Sequence, residues 1–185
     1  MKFGGIIAPM RTRVVAALSI LIVFAWSSLA EGKEMHTCAL LTSDEVVAAV
    51  GGMGQSQESN IVIPEGPSKG ETLGGCMWAA DNQGMVSISM IRAPQGALRE
   101  AGLAKLRDGF QRLKAKGWTE EKKEFSNAKC ALMTPPASSK SDIPVMTGCV
   151  AEAKGMGISV GYMGRTSVPI EQVKALLDKA IGRLP

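Results

Sequence analysis

Apolar positions along this chain switch repeatedly between a period of two and a period between three and four. The first clear helical stretch follows Leu41, where Thr42 and Glu45 have the spacing of a capping box and Leu41 and Val46 that of a hydrophobic staple. Gly51-Gly52 ends it. Asn60 to Ile63 is the only strand-like run in the next two dozen residues, and Pro64 stops it; Pro64 to Gly75 is expected as a loop. Cys76–Ala80 and Met85–Ile91 then predict a hairpin, with 81–84 as its turn. Val86, Ile88 and Met90 alternate with Ser87 and Ser89, so the second strand should be buried on one side only. Behind Pro94, the spacing of Leu103, Leu106, Phe110 and Leu113 predicts the longest helix, ended by Gly117. Strands are expected over 118–125 and 128–133, a polar loop over 137–142, and a second hairpin from 145–153 and 157–163. Pro169 opens a last helix, with Val173, Leu176, Leu177, Ala180, Ile181 and Leu184 on one stripe.

Antiparallel strands interspersed with helices indicate an α+β fold: a curved antiparallel sheet with helices covering one face. The two hairpins share a further signal. Gly75-Cys76-Met77-Trp78-Ala79-Ala80 and Gly148-Cys149-Val150-Ala151-Glu152-Ala153, laid together without gaps, agree at Gly, Cys and the second Ala, and the match extends to Gly84 with Gly157 and Met90 with Met163. The pairing points to an internal duplication of a hairpin-helix unit. Trp78, replaced by Ala151 in the second copy, is expected to fill the core beside a disulfide.

The N-terminus changes what composition means. Arg11 and Arg13 precede a nearly unbroken apolar run from Val14 to Trp26, and Ser28-Leu29-Ala30 offers a small-residue cleavage site. Residues 1–30 are therefore expected to be a cleavable signal peptide, leaving 31–185 as one α+β domain with a flexible lead at 31–37. The run is short for a membrane span, and no cysteine follows it closely enough for lipid attachment. Of 21 Lys and Arg against 17 Asp and Glu, Lys2, Arg11 and Arg13 leave with the signal, so the basicity disappears. The basic stripe and stacking aromatics that nucleic-acid binding needs are missing. No stable membrane span is expected after cleavage.

All four cysteines, Cys38, Cys76, Cys130 and Cys149, lie behind the signal. An even number in an exported chain implies two disulfides and a periplasmic or secreted location. Three connectivities are open on sequence alone; one staple within each half, Cys38–Cys76 and Cys130–Cys149, is the expectation. Zinc is disfavoured because no Cys-x-x-Cys pair exists and His36 is the only histidine. Asp44 and Glu45 serve the dipole of the first helix better than acid–base chemistry. Gly155, Gly157, Gly161 and Gly164 interrupt a strand pair instead of leading into a helix, so they make no phosphate loop. Nine methionines follow the signal, dispersed without an M-x-x-M cluster, and core filling is their expected role.

Cys38-Ala39-Leu40-Leu41-Thr42-Ser43-Asp44-Glu45-Val46, followed by a loose loop and Cys76-Met77-Trp78, resembles a secreted domain family of unknown function. That family is typified by actinobacterial envelope lipoproteins with a C-x-L-L-T-x-x-E-V opening and a later C-x-W. The resemblance implies an exported α+β domain, supports the Cys38–Cys76 pairing, and brings no catalytic residues. The functional expectation is a non-enzymatic module without a cofactor that binds a protein or cell-envelope component. Its contact surface would be the sheet face free of helices or the loop from Pro64 to Gly75. The alternative is a copper-handling protein built around Met35 and His36.

Overall fold

The computed structural model of the chain describes residues 35–52, 54–66, 68–80, 84–92, 108–138 and 143–185. The expected signal, the first hairpin turn, most of the helix behind Pro94 and part of the loop at 137–142 lie outside these residues. A 3₁₀ turn at Thr37–Leu40 leads into α1 (Ser43–Val50), then β1 (Ser56–Val62), β2 (Thr72–Ala80) and β3 (Gly84–Arg92). After α2 (108–115) come β4 (Thr119–Phe125), β5 (Ala128–Thr134), β6 (Val145–Ala153), β7 (Met156–Gly164) and α3 (Ile170–Gly182). The seven strands form one antiparallel sheet in the order β1-β2-β3-β7-β6-β5-β4. The architecture is α+β.

Strand alternation divides this sheet into two unlike faces. Cys76 and Trp78 of β2, Val86, Ile88 and Met90 of β3, and Ile158, Val160 and Tyr162 of β7 are buried together on the inner face. Against them pack Ile170, Val173, Leu176, Leu177 and Ala180 of α3, with Leu40, Leu41 and Val46 from the first turn and α1. Each such buried side chain contributes about 2 kcal/mol before entropy is counted. Trp78, 1% exposed, fills the core two residues from Cys76. The capping box at Thr42 and Glu45 is formed in both directions, and Leu41 and Val46 are both buried beneath it.

Two disulfides cross-link the fold. Cys38–Cys76 ties the 3₁₀ turn to β2, and Cys130–Cys149 joins directly opposed residues of β5 and β6. The Cys38 N–H also donates to the Glu58 carboxylate at 2.9 Å. Residues 35–37, expected to belong to a flexible lead, are held in place: Thr37 is fully buried and Met35 packs against the core. Thr37 fits because Gly74 has no side chain; a Cβ there would stand 2.3 Å from the Thr37 hydroxyl.

Several elements differ from expectation. The first strand begins at Ser56, well before Asn60, because its polar residues pair along the edge of β2 and need no core of their own. The loop after Pro64 gives way to β2 already at Thr72. The two hairpins occupy corresponding places on either side of the β3–β7 pairing, but their gap-free match holds only for the first strand. In the second hairpin Ala153 pairs with Met156 across Lys154-Gly155, both with positive φ (49° and 74°), a two-residue turn. In the first, Ala80 pairs with Gly84 across three residues. The extra residue shifts the returning strand by one place. Gly84 and Met90 therefore lie on the inner face, whereas Gly157 and Met163 lie on the outer one.

One ion cluster holds the two inner helices together. Glu45 of α1 accepts from Arg183, just past α3, at 2.9 Å and pairs with Lys179 at 3.3 Å. Hydrogen bonding from Arg183, then from the Thr42 N–H, lowers its carboxyl from 4.5 to about 2, with Lys179 assisting and partial burial opposing. A carboxyl depressed in the folded state stabilises it fully above the unfolded value and loses that contribution as pH falls towards the folded value. Resistance to urea should therefore fall as the pH drops from 5 to 2. Arg183→Gln should lower stability at pH 7 and flatten that acid limb; an unchanged limb would show that the cluster does not couple folding to pH.

Candidate functional site

The outer face of the sheet is built from the alternate residues of the same strands, and its composition is unusual. Cross-strand register sets Met85 of β3 opposite Met163 of β7, Met163 opposite Met146 of β6, and Met146 opposite Met133 of β5. Glu120 of β4 ends this row opposite Met133. Met77 of β2 belongs to the same face, diagonal to Met85, whose direct partner is Ala79. Five of the eight described methionines thus gather near one end of one face. Met133 is 1% exposed and stands apart from the main core. Met77, Met85, Met146 and Met163 are half-buried.

The next two rows are nearly bare. Ser87, Gly161 and Gly148 follow one another across β3, β7 and β6, and Ser89 and Ser159 face each other one row further on. Neither Gly148 nor Gly161 adopts a positive φ. A Cβ added at Gly148 would meet nothing closer than 3.9 Å, and one at Gly161 nothing closer than 3.5 Å, among the described residues. Neither the backbone conformation nor the described neighbours therefore demand glycine at either place. Mid-strand glycine is destabilising, and it commonly marks a place where a ligand or another backbone comes close.

The buried charge of this face lies at its β4 edge, while Lys129 of β5 and Glu152 of β6 are exposed on the same face. The Glu120 side chain is 2% exposed and is paired with Lys114 of α2 and Lys122 of β4. Burial pushes its carboxyl up, but the hydrogen bonds from Lys114 and Lys122 outweigh that and leave it below the usual range. Lys114 thereby anchors the end of α2 at the methionine row. The chain then turns through Gly117 (φ 84°) into β4.

The residues singled out from sequence lie elsewhere. All four cysteines are in disulfides under the inner layer. Met35 packs inward, while the neighbouring His36 is 74% exposed, with its ring 4.0 Å from the Glu58 carboxylate. Asp44 and Glu45 occupy the first turn of α1. Gly155 makes the β6–β7 turn. No three His, Cys, Asp or Glu side chains gather in a metal-binding arrangement among the described residues. The methionine row escaped sequence reasoning because its members lie far apart in the chain. Only the Met146–Met163 pair was accessible, by counting outwards from the two-residue turn at Lys154-Gly155.

Comparison with protein-family models and with curated proteins gives no match. Among solved structures, the chain is similar to the extracellular domain of PknH from Mycobacterium tuberculosis, with a TM-score of 0.52 and 16% sequence identity. The similarity covers 78% of this chain and 92% of that one. At this identity the likeness is one of fold. No helix among the described residues is long and apolar enough to cross a membrane.

The glycine geometry makes a test. Gly148→Ala should be neutral or stabilise by about 0.5 kcal/mol, because a strand accepts alanine where space allows. Gly84→Ala should destabilise by more than about 1 kcal/mol: its φ is +132° and its Cβ would stand 2.7 Å from the Met163 carbonyl oxygen. Chemical denaturation of both variants measures the contrast. Equal losses would mean that the outer-face glycines are structural after all.

Proposed function

We propose that this chain is an exported, disulfide-stapled module without enzymatic activity that takes a protein or cell-envelope component on the outer face of its sheet. The carrying observation is the bare centre of that face. Gly148 and Gly161 occupy the middle strands of a seven-stranded sheet, where a Cβ has room among the described residues. A floor of Gly and Ser lets a partner approach the backbone closely. The flanking methionines supply unbranched, polarisable side chains that repack around different shapes.

Export is supported by the signal-like segment at 1–30 and by the two disulfides. The likeness in fold to an extracellular domain and the resemblance to envelope lipoproteins agree with it. A binding role also fits the placement of the titratable groups. His36 is an exposed side chain beside one carboxylate, and the carboxylates with lowered pKa values are each held by lysine or arginine, an arrangement suited to ion pairing rather than proton transfer.

The test is crosslinking and capture from the cell envelope with the wild-type protein, followed by binding measurements with Ser87→Arg and Ser159→Arg. These half-buried outer-face positions accept an arginine pointing away from the core. Loss of at least tenfold in affinity, with an unchanged melting temperature, is the expected result. Capture that tolerates both arginines but fails when residues 64–71 are replaced by a Gly-Ser linker would move the contact to the loop.

A further inference from the structure

We propose that Met85, Met163 and Met146 form a thioether site for a soft monovalent metal ion, with Cu(I) as the ion it takes in an exported protein. Register carries the argument. Met163 has Met85 directly opposite on one side and Met146 directly opposite on the other. Side chains of directly opposed residues point to the same face, with Cβ atoms about 4.5–5.5 Å apart. A methionine sulfur stands two bonds beyond Cβ on rotatable links, so the outer two can lean towards the central one and three sulfurs can meet a single ion. Three neutral thioethers in a row suit Cu(I) or Ag(I) and offer little to Mg(II), Ca(II) or Zn(II), which prefer oxygen, nitrogen or thiolate.

The surroundings suit this ion as well. The three residues are half-buried, which leaves access from solvent while excluding much water. Met133, next in the row and buried, offers a fourth sulfur beside Met146. Beyond it the Glu120 carboxylate is already engaged by Lys114 and Lys122, so the row presents thioethers without a competing hard ligand. The bare Gly148 and Gly161 beside it leave room for an ion-laden surface to meet a donor or acceptor. The site is independent of the Met35–His36 nucleus, which lies at the 3₁₀ turn on the other side of the sheet. It stands whether or not the outer face also takes a macromolecular partner.

The experiment titrates the purified, disulfide-intact protein with Ag(I), a redox-stable probe, and with Cu(I) in the presence of ascorbate and a chromogenic competitor. One ion per chain is expected. In ¹H–¹³C spectra the methyl signals of Met85, Met146 and Met163 should shift on addition of Ag(I), while those of Met90 and Met156 on the inner face stay in place. This readout needs no variant. Met163→Leu, nearly isosteric and expected to fold, should weaken binding at least tenfold; His36→Ala should leave it unchanged. The proposal is overturned by absence of stoichiometric binding, by methyl shifts confined to Met35, or by binding that survives Met163→Leu and fails in His36→Ala.

Discussion

The antiparallel pairing of β3 with β7 is the constraint on which the rest of this molecule depends. Ile88 and Val160, both buried, sit opposite each other at the middle of that pairing. Each strand belongs to a different hairpin, and their pairing is where the two halves of the sheet meet. Because side chains alternate across a strand, this one register decides simultaneously which residues α3 covers and which remain outside. A slip by one residue would send Val86, Ile88 and Met90 outward and Ser87 and Ser89 into the core. The apolar content of the inner row therefore enforces the register, and the outer row inherits its order from it.

The cross-links reinforce the halves and leave the central seam to packing. Cys38–Cys76 holds the N-terminal turn on β2, and Cys130–Cys149 holds β5 to β6. Neither crosses between β3 and β7. Helix α3 crosses instead, packing over β6, β7 and β5 and reaching α1 and the first turn. Its end carries Arg183, which donates to the Leu40 carbonyl and clasps Glu45. Thr147 contributes from below, its buried hydroxyl donating to the Val168 carbonyl at 2.8 Å and fixing the approach to α3. The inner side is thus tied together by packing, side-chain hydrogen bonds and the two disulfides.

That outer face combines two properties that seldom share a strand. Its centre has been reduced to Gly and Ser, and one end has been given methionine on four adjacent strands. Each choice sacrifices something, since mid-strand glycine and flexible methionine both stabilise a sheet less than valine or isoleucine would. An outer face needing only solubility would have taken threonine and lysine, as the β4 edge does with its run of Glu and Lys. The proposed contact surface, with soft and adaptable atoms next to bare backbone, would account for both departures.

Much of this was legible in the residues themselves. The helix at Thr42 was readable because a cap, a staple and an acidic first turn are local; the second hairpin was readable too, although its returning strand begins at Met156, one residue before the expected Gly157. The alternation in Met85–Ile91 and the stripe on the last helix likewise carry their own periods. An even set of cysteines behind a signal-like segment implied two disulfides by composition alone. Four things belonged to the tertiary structure: the extension of β1 to Ser56, the one-residue offset between the hairpins, the burial of Thr37 against Gly74, and the assembly of the methionine row. Each depends on pairing between segments distant in the chain, whose register is settled by the whole inner core and not by either segment alone. Sequence determined what each strand could bury; only the closed sheet decided what its other side would bring together.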